Sequence, residues 1–384
     1  MSRAAPEGGR VRRIDQLVPS YVMHDAISNH VGQVQRALRA AGYESEIFYE
    51  HLDPRLEGRA RSFLECDPRP DPQRMLLYQA STSSAMAGWL LDAVAGGQDF
   101  VINYHNITPS EFFARWEPLA ARSMQAARRE LAELAPHAVA ALAVSAYNAA
   151  ELTELGCART AVCPLLVDLA DYHRPPDPAT SDRLRARRAD GPLWLFVGRI
   201  APNKCQHDVI AAFAVYRRLY APGARLALIG GATSGRYQAS LQQMVGQLGL
   251  DGSVEFLGSA PFPDLLAYFG AADAFVCLSE HEGFCVPVIE AMELGVPVVA
   301  YRAAAIPDTV GDAGLLLDDK DPLRVATAVH ELLGDGDRRE ALVAAGRKRA
   351  ADLALPVISE RFVTELQGLM AGPATTAAGH ITTR

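Results

Sequence analysis

Short, uninterrupted apolar runs alternate with amphipathic stretches twice along this chain. In the second half the runs are LWLFV (193–197), RLALI (225–229), VEFL (254–257), AFVCL (274–278), VPVVAY (296–301) and GLLL (314–317). Helical patterns separate or follow them near 207–220, 235–248, 263–270, 286–294, 305–310 and 322–334. A strand that is apolar throughout has no face for water, so it belongs in a parallel sheet covered by helices on both sides. The first half repeats the pattern, with runs at 14–18, 45–49, 76–79, 99–104 and 139–144 and a short one in TAVCP. A helix over 29–41 follows the first run, with Val31, Val34, Leu38 and Ala41 at helical spacing and Gly42 as its stop. The expected fold is α/β, as two doubly wound Rossmann-like domains facing each other across a cleft. At 384 residues the chain exceeds what one ordinary core takes, which suits two such units.

The boundaries follow composition. Residues 1–13 read as a flexible arm and 14–168 as the first domain. LLVDLADYHRPPDPATSDRLRARRADGP (165–192) is rich in Pro, Asp and Arg, so 169–192 is placed as the linker. The second domain is 193–355. A helix at 356–371 is expected to return to the first domain, and 372–384 reads as a disordered tail. Residues 51–74, polar and Pro-rich, read as a long loop. Thr108-Pro109-Ser110-Glu111 predicts a helix start with a capping box and Pro at the first helical position.

A net charge of −8 argues against nucleic acid as the main partner, since binding a phosphate backbone needs a basic surface. The six cysteines form no CxxC pair, and several sit in apolar runs, which fits a reducing, cytoplasmic setting. No apolar core follows the basic N-terminus, so no secretory signal is expected, and no run is long enough for a spanning helix.

Chemistry concentrates in three places. FVGRIAPNKCQHDVIAAF, from Phe196, ends a strand, turns at Gly198, and places Arg199 and Lys204 before a helix. A helix start offers free N–H groups and partial positive charge; a guanidinium and an ammonium beside it make a diphosphate clamp. GGATSG (230–235) follows a strand and has the placement of a loop that lets a ligand come close, at Gly230. HEGFCVPVIEAM (281–292) carries Glu282, Gly283, Phe284 and Glu290 across a strand-to-helix passage. The two carboxylates are acceptors suited to sugar hydroxyls, and Glu290 lies one turn inside its helix. Taken singly, Arg199 and Lys204 read as ordinary surface residues, and Glu282 as an acidic helix start.

With its Glu-x7-Glu spacing from Glu282 to Glu290, then AMELGVPVVAY and IPDTVGDAGLLL, the chain resembles family 4 retaining glycosyltransferases of GT-B architecture. The resemblance is strong from 193 to about 335 and looser before. It implies that Glu282 and the backbone of Gly283 and Phe284 hold the donor sugar, that Glu290 takes the ribose hydroxyls, and that Arg199 and Lys204 hold the diphosphate. The base would lie near Val254–Gly258. His105, in NYHNITP just past a strand end, would lie near the transferring sugar; as a residue it reads equally as a satisfied loop histidine. HDAISNH (24–30) replaces the usual glycines with Ala26, Ile27 and Ser28, so Asp25 and Asn29 bind acceptor hydroxyls or merely cap a helix. Asn106 joins them on the acceptor side. Cys285 stands where a glycine is common and reads as a packing residue.

The implied reaction moves a sugar from a nucleoside diphosphate sugar to a hydroxyl of a small-molecule, lipid-linked or glycan acceptor, with retention. His105, Glu282, Arg199 and Lys204 form the expected catalytic set. No metal or resident cofactor is expected, because protein cations meet the leaving phosphate. Peripheral contact with a membrane is compatible with this. A nucleotide-sugar epimerase, a phosphorylase and a non-catalytic nucleotide-sugar-binding protein remain rivals. A nicotinamide dehydrogenase is disfavoured because no GxGxxG opens either half.

Overall fold

The computed structural model describes residues 11–23 and 25–371. Most of the expected arm and all of the 372–384 tail lie outside the described residues. The first sheet has seven strands: β1 (Arg13–Tyr21), β2 (Ile47–Leu52), β3 (Arg61–Ser62), β4 (Arg74–Ala80), β5 (Phe100–Tyr104), β6 (Ala140–Ala143) and β7 (Thr160–Val162). The second has six: β8 (Leu193–Val197), β9 (Arg225–Ile229), β10 (Val254–Gly258), β11 (Ala274–Cys277), β12 (Val298–Tyr301) and β13 (Leu315–Leu317). Their spatial orders are β3-β2-β1-β4-β5-β6-β7 and β10-β9-β8-β11-β12-β13. Every strand pairing among the described residues is parallel.

The continuous apolar runs are the cause. β4 buries all seven of its residues and β9 all five, so neither has a face to give to water. Helices cover both sides, and between them Trp194, Phe196, Phe213 and Phe275 are fully enclosed. Burying a large apolar side chain stabilises by about 1.5–3 kcal/mol, so such positions dominate the fold.

In each sheet the strand order reverses once, between β1 and β4 and between β8 and β11. In open α/β sheets the crevice at such a switch, beyond the carboxyl ends of the strands, is where ligands bind. The loops leaving β8 and β11 carry Arg199 and Glu282. The C-terminal helix Leu355–Met370 packs against the first sheet's side of the molecule. Phe362 lies edge-on to His30 at 5.8 Å, Arg159 donates to the carbonyls of Leu369 and Gly368 at 2.6 and 3.0 Å, and Arg361 donates to that of Val162 at 2.7 Å.

Several local expectations change. The stretch 51–74 is not a plain loop: Arg61 and Ser62 add an edge strand beside Phe48 and Tyr49. Two residues leave no periodic signature, which is why the sequence hides it. No capping box forms at Thr108. The helix there is Glu111–Ala114, preceded by Ser110 without a side-chain cap bond. The backbone N–H of Ile107 instead donates to the Tyr104 hydroxyl, and the Ile107 carbonyl accepts from Arg128, which ties this loop to the core rather than to a helix start. Helix Pro178–Ala186 lies inside the stretch read as linker and bonds to the second domain, through Thr180 to Asp264 at 2.5 Å and Arg183 to the Tyr268 hydroxyl at 3.2 Å. Helix Gly336–Asp352 leaves no readable pattern in the sequence, because it buries only Gly346 and Ala350, too thin a stripe.

Candidate active site at the facing strand ends

Glu282 and Lys204 meet. Both Glu282 carboxylate oxygens lie 2.5 Å from the Lys204 ammonium, with side-chain exposures of 8% and 16%. Burial pushes the Lys204 ammonium down, but the charge of Glu282 more than offsets it, so the lysine stays charged. The loops that carry them are cross-tied. Asn203 donates from Nδ2 to the His281 carbonyl at 2.9 Å, and its own carbonyl accepts from the Glu280 N–H at 2.9 Å. Arg199 stands exposed on the same loop as Lys204. The structure therefore joins residues 78 positions apart that the sequence offers for different parts of the donor, Lys204 for the diphosphate and Glu282 for the sugar.

Glu290 follows one turn into helix Val286–Glu293 and is 8% exposed. Burial raises its carboxyl to about 7. The hydroxyl of Tyr172, from the crossover between the sheets, donates to its Oε1. Cys285, the residue before this helix, has φ 67° and ψ 68°, a left-handed conformation that glycine adopts far more easily. Its thiol packs 4.0 Å from that of Cys277. The Phe284 carbonyl is held by the Thr309 hydroxyl.

Gly283 is needed for an approach between the two halves. A β-carbon there would sit 2.5 Å from the Asn106 β-carbon and 2.7 Å from the His105 carbonyl oxygen. Gly230 has a packing reason of its own. Its φ is +148°, and a β-carbon would lie 2.0 Å from the Gly198 carbonyl oxygen. It lets the loops leaving β8 and β9 pass each other, a packing reason invisible in a Gly-Gly pair.

On the facing side, His105 is buried and its Nε2 lies 2.6 Å from Gln79 Oε1. That contact makes Nε2 the donor in a neutral ring and leaves Nδ1 an acceptor with no partner among the described residues. Burial holds the ring neutral, down at about 3. Behind it, Gln79 bonds to Gln16 at 2.8 Å and Asn103 at 3.0 Å, and His30 stands edge-on to His105 at 5.0 Å. Asn106, at φ 88°, donates from Nδ2 to His281 Nδ1 at 3.1 Å and accepts from Asn148 at 3.2 Å. That leaves the His281 Nε2–H as a buried donor without a partner among the described residues. An unpaired acceptor on His105 and an unpaired donor on His281 thus flank the Gly283 contact, and an unpaired buried polar group is costly unless a ligand completes it.

Asp25 caps the helix Ala26–Ala40, accepting from the Ser28 N–H at 2.9 Å, and Asn29 is exposed in that first turn. Asp25 is thereby a structural cap. Gln79, His281 and Tyr172 went unassigned in the sequence. Gln79 had a signal, a polar residue closing an apolar run; Tyr172 had none. Beside the site a cavity of about 410 Å³ opens between the halves, lined by Phe112, Trp116, Pro202, Cys205, His207 and Tyr237. Trp116 packs edge-on to Tyr237 there at 5.1 Å. Among the described residues, no helix is long and apolar enough to cross a membrane.

Residues 181–349 match the family Glycosyl transferases group 1. The GDP-mannose-dependent alpha-(1-6)-phosphatidylinositol monomannoside mannosyltransferase of Mycolicibacterium smegmatis is 36% identical over 188 residues, 46% of this chain and 48% of that protein. A D-inositol 3-phosphate glycosyltransferase of Frankia alni is 37% identical over 192 residues, 48% of this chain and 47% of that protein. The chain spans about half the length of the curated relatives it matches. In overall architecture it is similar to sucrose-phosphate synthase from Thermosynechococcus elongatus, with TM-score 0.72, 20% identity, and coverage of 94% of this chain and 100% of that one. It is similar too to Anabaena HepE in complex with UDP and glucose, with TM-score 0.69, 19% identity, and coverage of 93% and 100%. Residues 181–349 therefore match the glycosyl transferases group 1 model, in a chain whose two parallel sheets share the fold of these solved structures.

Proposed function

We propose that this protein transfers a hexosyl group from a nucleoside diphosphate sugar to an acceptor hydroxyl, with retention of anomeric configuration and without a metal. The observation that carries the reading is the Lys204–Glu282 pair, set with Arg199 at the β8/β11 switch point. An ammonium has three N–H donors. Two serve Glu282, and the third is free for a diphosphate oxygen. Arg199 adds a planar two-point contact from the same loop. As the bond from the anomeric carbon to the diphosphate breaks, charge grows on the leaving phosphate, and these preorganised cations stabilise it. Glu282 and the backbone at Gly283 and Phe284 hold the sugar, and Glu290 accepts from ribose hydroxyls. His105, kept neutral, offers Nδ1 to a sugar or acceptor hydroxyl. The acceptor attacks on the face the leaving group vacates, and the leaving phosphate takes its proton.

The relatives' names set the substrates to try. Donors are GDP-mannose and UDP-glucose, and acceptors are inositol phosphate and a phosphatidylinositol mannoside. The test is product analysis by NMR with each donor–acceptor pair, with and without EDTA. Transfer with an α-donor giving an α-product, unchanged by EDTA, supports the proposal. An inverted product sinks the retaining mechanism, EDTA-sensitive transfer sinks metal independence, and a released free sugar with every acceptor sinks transfer.

A further inference from the structure

We propose that Tyr172 competes with the donor's ribose for Glu290, so that nucleotide binding must exchange one O–H donor for another on a single carboxylate. This rests on the reading of Glu290 as the ribose-holding residue. Tyr172 belongs to the one-turn 3-10 segment Ala170–His173 in the crossover between the two sheets, 118 positions from Glu290. Its hydroxyl donates to Glu290 Oε1. Among the described residues Glu290 has no other side-chain hydrogen bond. A buried carboxylate holds a partner tightly, so an incoming hydroxyl gains only the difference between its own bond and the one it replaces.

The segment is built to let go. Asp171, His173 and Arg174 around Tyr172 are exposed, and among the described residues Asp171 and Arg174 form ion pairs only with each other. Its second attachment is to the same helix: His173 Nε2 lies 2.8 Å from Glu293 Oε1, with side-chain exposures of 65% and 21%. Glu290 and Glu293 are three residues apart and share a helix face, so the turn is strapped across that face by two side chains. The exposed contact of the two, His173 with Glu293, is weak by itself. The Tyr172 ring stands edge-on to Phe262, centroids 5.0 Å apart and planes at 86°. Phe262 opens the helix after β10, the strand assigned to the base. The phenol thus sits between Glu290 and the helix after β10, and a ribose whose two hydroxyls use both oxygens of Glu290 must displace it from Oε1.

The experiment is calorimetric titration of UDP and of GDP into the full chain, as wild type, Tyr172→Phe and Glu290→Gln. The 2′,3′-dideoxy forms of both nucleotides serve as probes that lack the competing hydroxyls. Tyr172→Phe keeps the ring against Phe262 and removes only the donor. It should bind the nucleotide that the wild type binds roughly three- to tenfold more tightly, the worth of one hydrogen bond. The dideoxy form should bind both proteins alike. Amide exchange in 169–174 of the wild type should quicken on nucleotide binding. Unchanged or weaker binding by Tyr172→Phe, or slower exchange in that segment, overturns the competition. Glu290→Gln separates the two ideas. If it weakens the ribonucleotide while Tyr172→Phe fails to tighten it, Glu290 holds ribose and the competition is wrong. If it binds like wild type, the assignment of Glu290 fails and the competition with it.

Discussion

Gly283 lies so close to Asn106 that a β-carbon at 283 would come within 2.5 Å of the Asn106 β-carbon. The two residues belong to opposite halves, and the neighbouring His281–Asn106 hydrogen bond fixes the same contact. Gly283→Ala must push the halves apart. A misplacement near 1 Å costs on the order of 10²-fold in rate. The expected result is that loss in kcat/KM with circular dichroism unchanged. Near-normal kcat/KM would show that the contact is not part of the working geometry.

Arg199 is exposed, so its removal should leave stability within roughly 0.5 kcal/mol of wild type. If it meets the leaving phosphate, Arg199→Ala should lower kcat by about 10²- to 10³-fold. Thermal melting and steady-state kinetics on one preparation check both halves. A small kcat effect would remove Arg199 from the clamp.

Lys204 and Glu282 form a buried pair, and breaking such a pair from one side costs about 3–5 kcal/mol because the other charge is left alone. Lys204→Ala and Glu282→Ala should each destabilise strongly, and the double variant by less than their sum. Urea unfolding of the four proteins gives the coupling. An additive double variant would mean the two charges are each well solvated without the other.

The buried titratable groups set opposing pH trends. His105 and His281 are held below their ordinary 6.5, at about 3 and about 4, chiefly by burial. The unfolded chain takes up these protons near pH 6.5 and the folded chain does not. Their contribution is complete above pH 6.5 and is lost as pH falls toward 4, at roughly 1.4 kcal/mol per pH unit for each. Glu290 runs the other way. Burial raises it from 4.5 to about 7, so the folded chain binds its proton more tightly, and its contribution is complete below pH 4.5 and lost as pH rises to 7. Relative to wild type, His105→Asn should gain stability and Glu290→Gln should lose it as pH falls from 6.5 to 4.5. Denaturant midpoints across that range are the measurement; parallel curves for either variant would place that group's titration elsewhere.

The strands were legible because a parallel strand buried on both faces writes itself as an apolar run. The second-domain helices fell within a residue or two for a similar local reason. What the sequence left out had no local trace: a two-residue edge strand, a helix with two buried positions, and a loop bonded to the core where a capping box was expected. For the site, the spacing of Glu282 and Glu290 across a loop and one helical turn was in the sequence, as were Arg199 and Lys204 ahead of a helix.

The sequence by itself determined the two parallel sheets and the strand ends at which polar residues collect, because both depend on periodicity within a few neighbouring residues. Only the tertiary structure decided which of those residues touch. Lys204 finds Glu282 across 78 positions, Tyr172 finds Glu290 across 118, and Asn106 finds His281 across 175. Strand order and domain packing set those meetings, and no local pattern encodes them. The same holds for the glycines. Gly230 and Gly283 look alike as letters, but one clears a neighbouring loop's backbone and the other clears the opposite half of the molecule.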